Sequence, residues 1–432
     1  MIETRKHERM FDVGNHNEIR VMELFAGVGG FRIGLERANS EIFKVVWANQ
    51  WEPERKIQFA FDAYCRNFNE GIHVNEDIVK IPNEVFEEQK PDLIVGGFPC
   101  QDYSVARSLS GEKGIQGKKG VLFWEIKRAI ENTFPKYVLL ENVDRLLKSP
   151  SKQRGRDFAV MLATFRDLGY TVEWRVINAA EYGHPQRRRR VFIFAYKNGI
   201  SFDKEQRNYS PEEIVFKEGF FAKPFPVEKE PYKNREAIVK LPTDIVAISD
   251  DFIFNFYPSG LMRDGEIFTV HQTPITKDPV PLKDILLDED EVEEKYYLTK
   301  EMEEKFAYLR GPKKIKRKSS EGFEYTFSEG GMSPTDELDK PGRTMLTSEG
   351  TVNRSTHIVE VNGRKRFLTP IECERLNEFP DNWTEGMTDR QRYFCMGNAL
   401  VVGLVEKMGR RLEEIHKASE QEIVQLQLFP TG

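Results

Sequence analysis

The chain has 432 residues, and 70 acidic against 64 basic side chains give a formal net charge of −6, so any surface for a polyanion has to be local. A hydrophobic content of 39% over this length supports a substantial core, which excludes wholesale disorder and fits two or three domains. The four cysteines, Cys65, Cys100, Cys373 and Cys395, include no CxxC pair and are too few to staple so long a chain. That pattern speaks for reducing conditions and against a structural zinc site. The N-terminus is charged and lacks an apolar h-region, and no apolar stretch approaches the ~18 residues of a membrane span. The expectation is a soluble intracellular protein.

From Ile19 to about Tyr196, short β-rich runs alternate with helical patterns, which predicts an α/β domain with a mostly parallel sheet. A strand over 19–27 is followed by a glycine turn and a helix over 31–39, then a strand over 42–49 and a helix from about Pro53 to Cys65. A strand over 92–97, a helix over 120–133 and a strand over 136–143 come next. In 155–170, Phe158, Met161, Leu162, Phe165 and Leu168 recur at helical spacing and make one apolar face. Strands over 171–178 and 190–196 close the series. Residues 200–365 lose this rhythm and read as a second, irregular domain, with an acidic run at 288–294 and a basic run at 313–318. Charge runs are usually solvated faces, and the basic one is also a candidate phosphate contact. Helical patterns return over 368–379 and as a single helix over 390–419.

Four constellations carry chemistry. Phe25-Ala26-Gly27-Val28-Gly29-Gly30, between strand and helix, suits close backbone approach to a ligand, or else a purely structural turn. Its spacing departs from the dinucleotide pattern GxGxxG. Gln50-Trp51-Glu52, after the second strand, offers a ribose-binding group and a stacking ring, although a tryptophan there is equally a core residue. Gly96-Gly97-Phe98-Pro99-Cys100-Gln101 follows the strand that ends in the crevice of such sheets, which makes Cys100 a nucleophile, whereas a free cysteine is otherwise mostly a small buried hydrophobe. Glu141-Asn142-Val143 ends another strand, its carboxyl group fit for hydrogen bonding or proton donation in a cleft, or for capping. Among Arg187-Arg188-Arg189-Arg190, alternation along an extended segment puts Arg188 and Arg190 on one face, as forked donors to a substrate or as part of a solvated patch.

In this order, these segments resemble the cytosine-5 DNA methyltransferases. The likeness also takes in Asn75-Glu76-Asp77-Ile78, residues 120–126, 368–383 and 397–402, which is most of the chain outside 200–340. The resemblance implies a Rossmann-like, S-adenosylmethionine-dependent methyltransferase domain over 18–198, a smaller β-rich target-recognition domain over 199–380, and a hinge and C-terminal helix over 381–432 that return to the first. It implies that Cys100 adds to carbon 6 of a flipped-out cytosine, that Glu141 contacts N3 and the exocyclic amine, that Arg188 lies near the cysteine loop, and that Arg190 meets the O2 edge. S-adenosyl-L-methionine, released as S-adenosyl-L-homocysteine, would be held by Phe25, Gly27, Gly29, Gly30, Gln50, Trp51, Asp77, Ile78, Pro99, Leu122 and Asn398.

Gln50 departs from the family's usual glutamate, and Ala399 from its usual serine. A glutamine can accept one hydrogen bond and donate another, so rearranged or weakened ribose contact is expected. Double-stranded DNA is the implied partner, met by Gln101, Ser104, Arg343, Thr344, Thr347 and Arg354, with residues 101–120 as a closing lid. No metal is implied. The family's common setting is a monomer in the prokaryotic cytoplasm beside a cognate restriction endonuclease. A transfer-RNA methylase would carry a Cys-Phe-Thr segment that this chain lacks, an amino-group DNA methylase an Asp/Asn-Pro-Pro-aromatic segment, and a silent regulator would have lost Cys100 or Glu141. A nicotinamide oxidoreductase leaves the last three constellations without work.

Overall fold

The computed structural model describes residues 17–53, 55–98, 122–229, 235–318 and 322–428, with side chains up to residue 421. The first half alternates as its sequence predicts, in β1 (Ile19–Leu24), α1 (Gly30–Asn39), β2 (Phe43–Asn49), α2 (Phe59–Asn67), β3 (Ile72–Val74), α3 (Asn83–Gln89) and β4 (Leu93–Gly97), of which β3 and α3 were not expected. Then come α4 (Leu122–Thr133), β5 (Tyr137–Val143), α5 (Arg156–Asp167), β6 (Tyr170–Asn178) and β7 (Arg189–Lys197). Strands β1 to β5 are parallel, in the order β3-β2-β1-β4-β5, while β6 and β7 run antiparallel. The strand order reverses between β1 and β4, and a ligand crevice forms beyond the C-terminal strand ends at such a point.

The strands are apolar on both faces because helices cover both. Ile19 and Val21 of β1, Leu93 and Val95 of β4 and Tyr137 and Leu139 of β5 join one core with α1, α2 and the C-terminal segment. Met22 and Leu24, Ile94, and Val138 and Leu140 face the opposite core, built with α3, α4 and α5. The two-residue period of a strand divides one continuous apolar run between two cores.

Past residue 200 the chain forms α6 (Ser201–Gln206), α7 (Pro211–Glu213), β8 (Val227–Lys229), β9 (Glu236–Lys240), α8 (Ile245–Asp251), β10 (Ser259–Arg263), β11 (Glu266–Val270) and β12 (Gln272–Pro274). The sequence expectation of a domain boundary at 199 needs correction here. Strand β10 pairs with β6, and β11 and β9 follow it, so the main sheet has ten strands and runs on into the segment assigned to the second domain. The switch to antiparallel connections removes the helix between strands, and with it the alternation that marked the first half. Beyond these lie α9 (Lys300–Arg310), the hairpin β13 (Lys313–Lys318) with β14 (Glu324–Glu329), and the hairpin β15 (Ile358–Val361) with β16 (Arg364–Phe367).

The chain then returns as α10 (Pro370–Leu376), α11 (Asp389–Asn398) and α12 (Val402–Leu428). The single helix expected over 390–419 is two. The Gly397 carbonyl is taken by Arg188 at 2.9 Å, Ala399 is extended, and the Val402 amide donates to the Asn377 carbonyl at 3.0 Å, so the helical ladder is broken over 399–401. Helix α12 lies tightly on α1, where a Cβ added at Gly409 would fall 2.7 Å from that of Ala38. No helix among the described residues is long and apolar enough to cross a membrane.

Two carboxyl groups of this core titrate abnormally. Burial pushes Glu23 of β1 up to about 7, although the Tyr64 hydroxyl donates to it at 2.8 Å, and burial does the same to Glu173 of β6. A folded-state pKa above the ordinary 4.5 means that the stabilising contribution is complete below pH 4.5 and is lost as pH rises through 7. Glu23→Gln is therefore expected to match the wild type in melting temperature near pH 4.5 and to exceed it by several degrees at pH 8, the full effect being at most about 3 kcal/mol. Thermal melts across that range test this, and parallel curves for the two proteins would refute it.

Candidate active site at the strand ends

The turn after β1 carries the first group of expected residues. Phe25, Gly27 and Gly29 have φ of 55°, 57° and 90°, the left-handed region where glycine alone is unstrained. A Cβ on Gly27 would meet nothing within 4 Å among the described residues, while one on Gly29 would run into the Phe68 ring. The Gln50 side-chain oxygen accepts from the Gly27 amide at 2.8 Å, and the Asn75 amide donates to the Gln50 carbonyl at 2.7 Å. Gln50 thus ties the end of β2 to the glycine turn, and only its side-chain NH2 remains to donate. Beside it the Trp51 side chain is 36% exposed. Asp77 caps the next short turn by accepting from the Val79 amide at 3.2 Å, with Ile78 buried next to it. Leu122 begins α4, and it packs with Phe25 against the same core.

The returning C-terminal segment packs on the glycine turn. The Trp383 indole donates to the Val28 carbonyl at 2.7 Å, and Leu400 packs on Gly30, 3.2 Å from where its Cβ would be. Asn398 is exposed at the end of α11, next to the Gly397 carbonyl that Arg188 holds. Phe25, the three glycines, Gln50 and Trp51 thus follow the C-terminal ends of β1 and β2, Asp77 and Ile78 follow β3, Leu122 packs in the same core as Phe25, and Asn398 follows the Gly397 held by Arg188. An open glycine cradle beside an exposed indole is a fit for a nucleoside bearing an amino-acid tail. Pro99 lies outside the described residues.

The second group lies at the ends of β4, β5 and β7. Glu141 stands opposite Phe192 and Val143 opposite Arg190, which makes Glu141 and Arg190 diagonal neighbours on one face. Arg190 Nε meets Glu141 Oε1 at 2.8 Å, with both side chains about 15% exposed or less, and a Cβ on Gly97 would sit 3.3 Å from the other carboxylate oxygen. Arg188 shares that face but is buried to 2%: one guanidinium nitrogen donates to the Met345 carbonyl at 3.1 Å and another to Gly397 at 2.9 Å. Burial, helped by the Arg190 charge, pulls Arg188 down to about 9. Cys100, with Gln101, Ser104 and the expected lid, lies outside the described residues. Among the remaining thiols, burial pushes Cys373 and Cys395 well up and raises Cys65 as well, which disfavours the thiolate in each.

Three side chains that sequence reasoning did not assign complete the arrangement. Asn142 points to the opposite face from Glu141, where its NH2 holds the Phe98 carbonyl at 2.8 Å, two residues before Cys100. Gln186 donates to Asn377 Oδ1 at 2.9 Å and accepts from the Met345 amide at 3.0 Å, and Asn377 in turn donates to the Met396 carbonyl at 2.9 Å. The signals in the sequence were positional only: Asn142 stands beside Glu141, Gln186 heads the arginine run, and Asn377 lies within the segment 368–383.

The recognition residues divide. Thr344 donates to the Arg187 carbonyl at 2.6 Å, and Thr347 is exposed where segment 345–347 rests on Gly397. Arg343 and Arg354, expected at the DNA surface, are both engaged by the protein's own groups. Arg343 is engaged by Asp336 at 2.6 Å and by the Ser355 and Thr356 carbonyls, and Arg354 by the Leu309 carbonyl at 2.7 Å and Glu329 at 3.2 Å. Both guanidinium groups are committed to holding their own segment together. Isolated in sequence, an arginine bound to its own fold looks the same as one bound to a phosphate.

The family model of C-5 cytosine-specific DNA methylases matches residues 19–414, and the chain belongs to that family. It is 59% identical over 413 residues to the type II methyltransferase M.Sau3AI of Staphylococcus aureus, a match covering 96% of this chain and 100% of that one. It is 25% identical to M.HhaI of Haemophilus parahaemolyticus over 90% of this chain and 92% of that one. Among solved structures, S. pombe Dnmt2 methyltransferase aligns with a TM-score of 0.58 at 15% identity, covering 92% of this chain and 99% of that one. A mutant of Spodoptera frugiperda DNMT2 gives 0.57 at 14% identity, covering 93% and 100%. At such identities the likeness shows the shared α/β fold.

The Asn142 bond gives a test of how the site is positioned. Asn142→Ala is expected to lower kcat about 10- to 100-fold through a displaced Phe98 backbone, with the KM for the methyl donor unchanged. Steady-state kinetics check this, and a wild-type kcat would mean that the bond has no bearing on the reacting loop.

Proposed function

We propose that this chain transfers a methyl group from S-adenosyl-L-methionine to carbon 5 of a cytosine flipped out of duplex DNA, with Cys100, Glu141, Arg188 and Arg190 performing or supporting the chemistry. The observation that carries the reading is the Glu141–Arg190 pair, 2.8 Å apart at adjoining strand ends and against Gly97, three residues before Cys100. Cytosine carbon 5 is a weak nucleophile and becomes reactive only when a nucleophile has added at carbon 6. Cys100, as thiolate, forms that carbon–sulfur bond. Glu141 engages N3 and the exocyclic amine and draws electron density from the ring as the bond forms, while Arg190 donates to the O2 edge. Arg188, with two of its nitrogens already engaged, acts through position by keeping β7, segment 345–347 and the end of α11 together beside the pair. Loss of the carbon 5 proton and expulsion of Cys100 then restore the aromatic ring.

When bound, S-adenosyl-L-methionine supplies a methyl carbon made electrophilic by its positively charged sulfur. The glycine turn of 27–30 would hold its methionine part, Trp51 its adenine face, and Asp77 and Ile78 its adenine edge, with Leu122, Pro99 and Asn398 completing the pocket. Gln50 has one lone pair of its oxygen on Gly27, so it would meet the ribose hydroxyls with its NH2 as donor and with the second lone pair as acceptor. Thr347, Gln101 and Ser104 would meet DNA. The type II relatives support a role in protecting DNA alongside a cognate restriction endonuclease. A cytoplasmic monomer suits that role.

Two measurements test these assignments. Cys100→Ala is expected to lose methyl transfer to duplex DNA by several orders of magnitude, and the wild type to become trapped covalently on a duplex carrying 5-fluorocytosine, because fluorine cannot leave as a proton does. Undiminished transfer by the alanine variant would overturn the covalent route. At Gln50, replacement by leucine is expected to weaken cofactor binding about tenfold through loss of the Gly27 support, read by calorimetry, with Gln50→Glu near wild type because it keeps the acceptor.

A further inference from the structure

The hairpin β13–β14 stands outside the ten-stranded sheet and pairs only with itself among the described strands. Its two faces differ in how their charge is used. On one, Lys313 lies 2.9 Å from the Leu309 carbonyl and 3.7 Å from Glu329, and the Arg317 guanidinium lies 4.1 Å over the Phe327 ring. That face is occupied by the protein's own groups. On the other, Lys314, Lys316 and Lys318 stand opposite Ser328, Thr326 and Glu324, and all six are exposed. Lys318 has a loose contact with Glu324 at 3.6 Å, whereas Lys314 and Lys316 have no acceptor among the described residues. At the ribbon's tip Phe323 and Tyr325 are 71% and 48% exposed. Arg354 braces the base, with its guanidinium on the Leu309 and Gly330 carbonyls and on Glu329.

A two-stranded ribbon has little stability of its own, and fastening one into place with an arginine to display three like charges in a row works against folding. The arrangement gains its value only from an anionic partner. We infer that the Lys314-Lys316-Lys318 face of this ribbon is a docking surface for the sugar-phosphate backbone of duplex DNA, reached outside the catalytic crevice. The inference rests on the duplex-DNA reading above and adds a sequence-independent contact to it. Alternate residues along a strand are about 6.6 Å apart, so the three lysines span about 13 Å, a length over which duplex DNA presents several phosphates at about one charge per 1.7 Å of axis. Ser328 and Thr326 add hydroxyl donors beside the lysines. An acidic molecule of net charge −6 needs such a local patch to hold DNA at all.

The test compares the wild type with the triple variant Lys314→Gln, Lys316→Gln, Lys318→Gln and with the corresponding triple lysine-to-arginine variant. Binding of a duplex that the wild type methylates, and of a duplex that it does not, is measured by fluorescence anisotropy over a salt series. The expected result is a slope of log affinity against log salt shallower by about 2 to 3 in the glutamine variant, with affinity for both duplexes falling by the same factor. The arginine variant should keep the wild-type slope, and Lys314→Gln or Lys316→Gln alone should each remove about 1. An unchanged slope in the glutamine variants, or a loss confined to the methylated duplex, would overturn the inference. Cofactor affinity, expected equal in all the proteins, reports that the fold is intact. A wild type that neither binds nor methylates duplex DNA would sink the underlying reading instead, so the two failures are distinguishable.

Discussion

A guanidinium taken out of water without a carboxylate against it is costly, and Arg188 is in that position, 2% exposed with two backbone carbonyls as its acceptors. Hydrogen bonds to a charged group contribute about 1.5–3 kcal/mol each, so the two bonds and the nearby charge of Glu141 offset the burial only if all three partners stay in place. The partners come from distant parts of the chain. Met345 belongs to the recognition segment, Gly397 ends α11, and Glu141 ends β5. One buried charge therefore makes the crevice, the segment beside it and the returning C-terminus conditional on one another. Gln186, Asn377 and Trp383 repeat the pattern with neutral groups, each joining a late segment to an early strand or turn.

That interdependence accounts for the order of the site. The Rossmann-like strand order leaves its crevice at the reversal between β1 and β4, and the glycine turn opens on it because, among the described residues, no side chain fills the space over Gly27. Neighbouring strands then bring Glu141 and Arg190 to one face by register, while the intervening Asn142 necessarily faces the other way and holds the Phe98 backbone. The period of a β-strand thus separates two jobs within three consecutive residues. The Glu141–Arg190 pair lies on one side and the Asn142 bond to the Phe98 backbone on the other.

Much of this was legible beforehand, and the exceptions share a cause. The strands of the first half, the apolar face of α5 and the glycine turn follow from local periodicity and turn chemistry, which depend on neighbours in sequence. The expected boundary at 199 failed as an edge of the sheet because β10, β11 and β9 are joined without intervening helices and so break the rhythm while extending the sheet. The expected helix over 390–419 failed because its Gly397 carbonyl is claimed by a side chain 209 residues away. That Arg343 and Arg354 pair with Asp336 and Glu329 was likewise beyond the sequence, which cannot say which carboxylates lie beside them.

The chain by itself determined the α/β class, the membership of the C-5 cytosine-specific DNA methylase family and the identity of the residues expected to act, since these rest on residue types at fixed local spacing. The tertiary structure alone decided which arginines are held by the protein's own groups, that Gln50 supports the Gly27 turn, that the C-terminal segment packs on that turn, and that a basic run becomes a ribbon with one neutralised and one open face. The physical reason is that charge compensation, burial and hydrogen-bond satisfaction are properties of neighbours in space. In this chain the decisive neighbours, Arg188 with Gly397 and Val28 with Trp383, are two to three hundred residues or more apart in sequence.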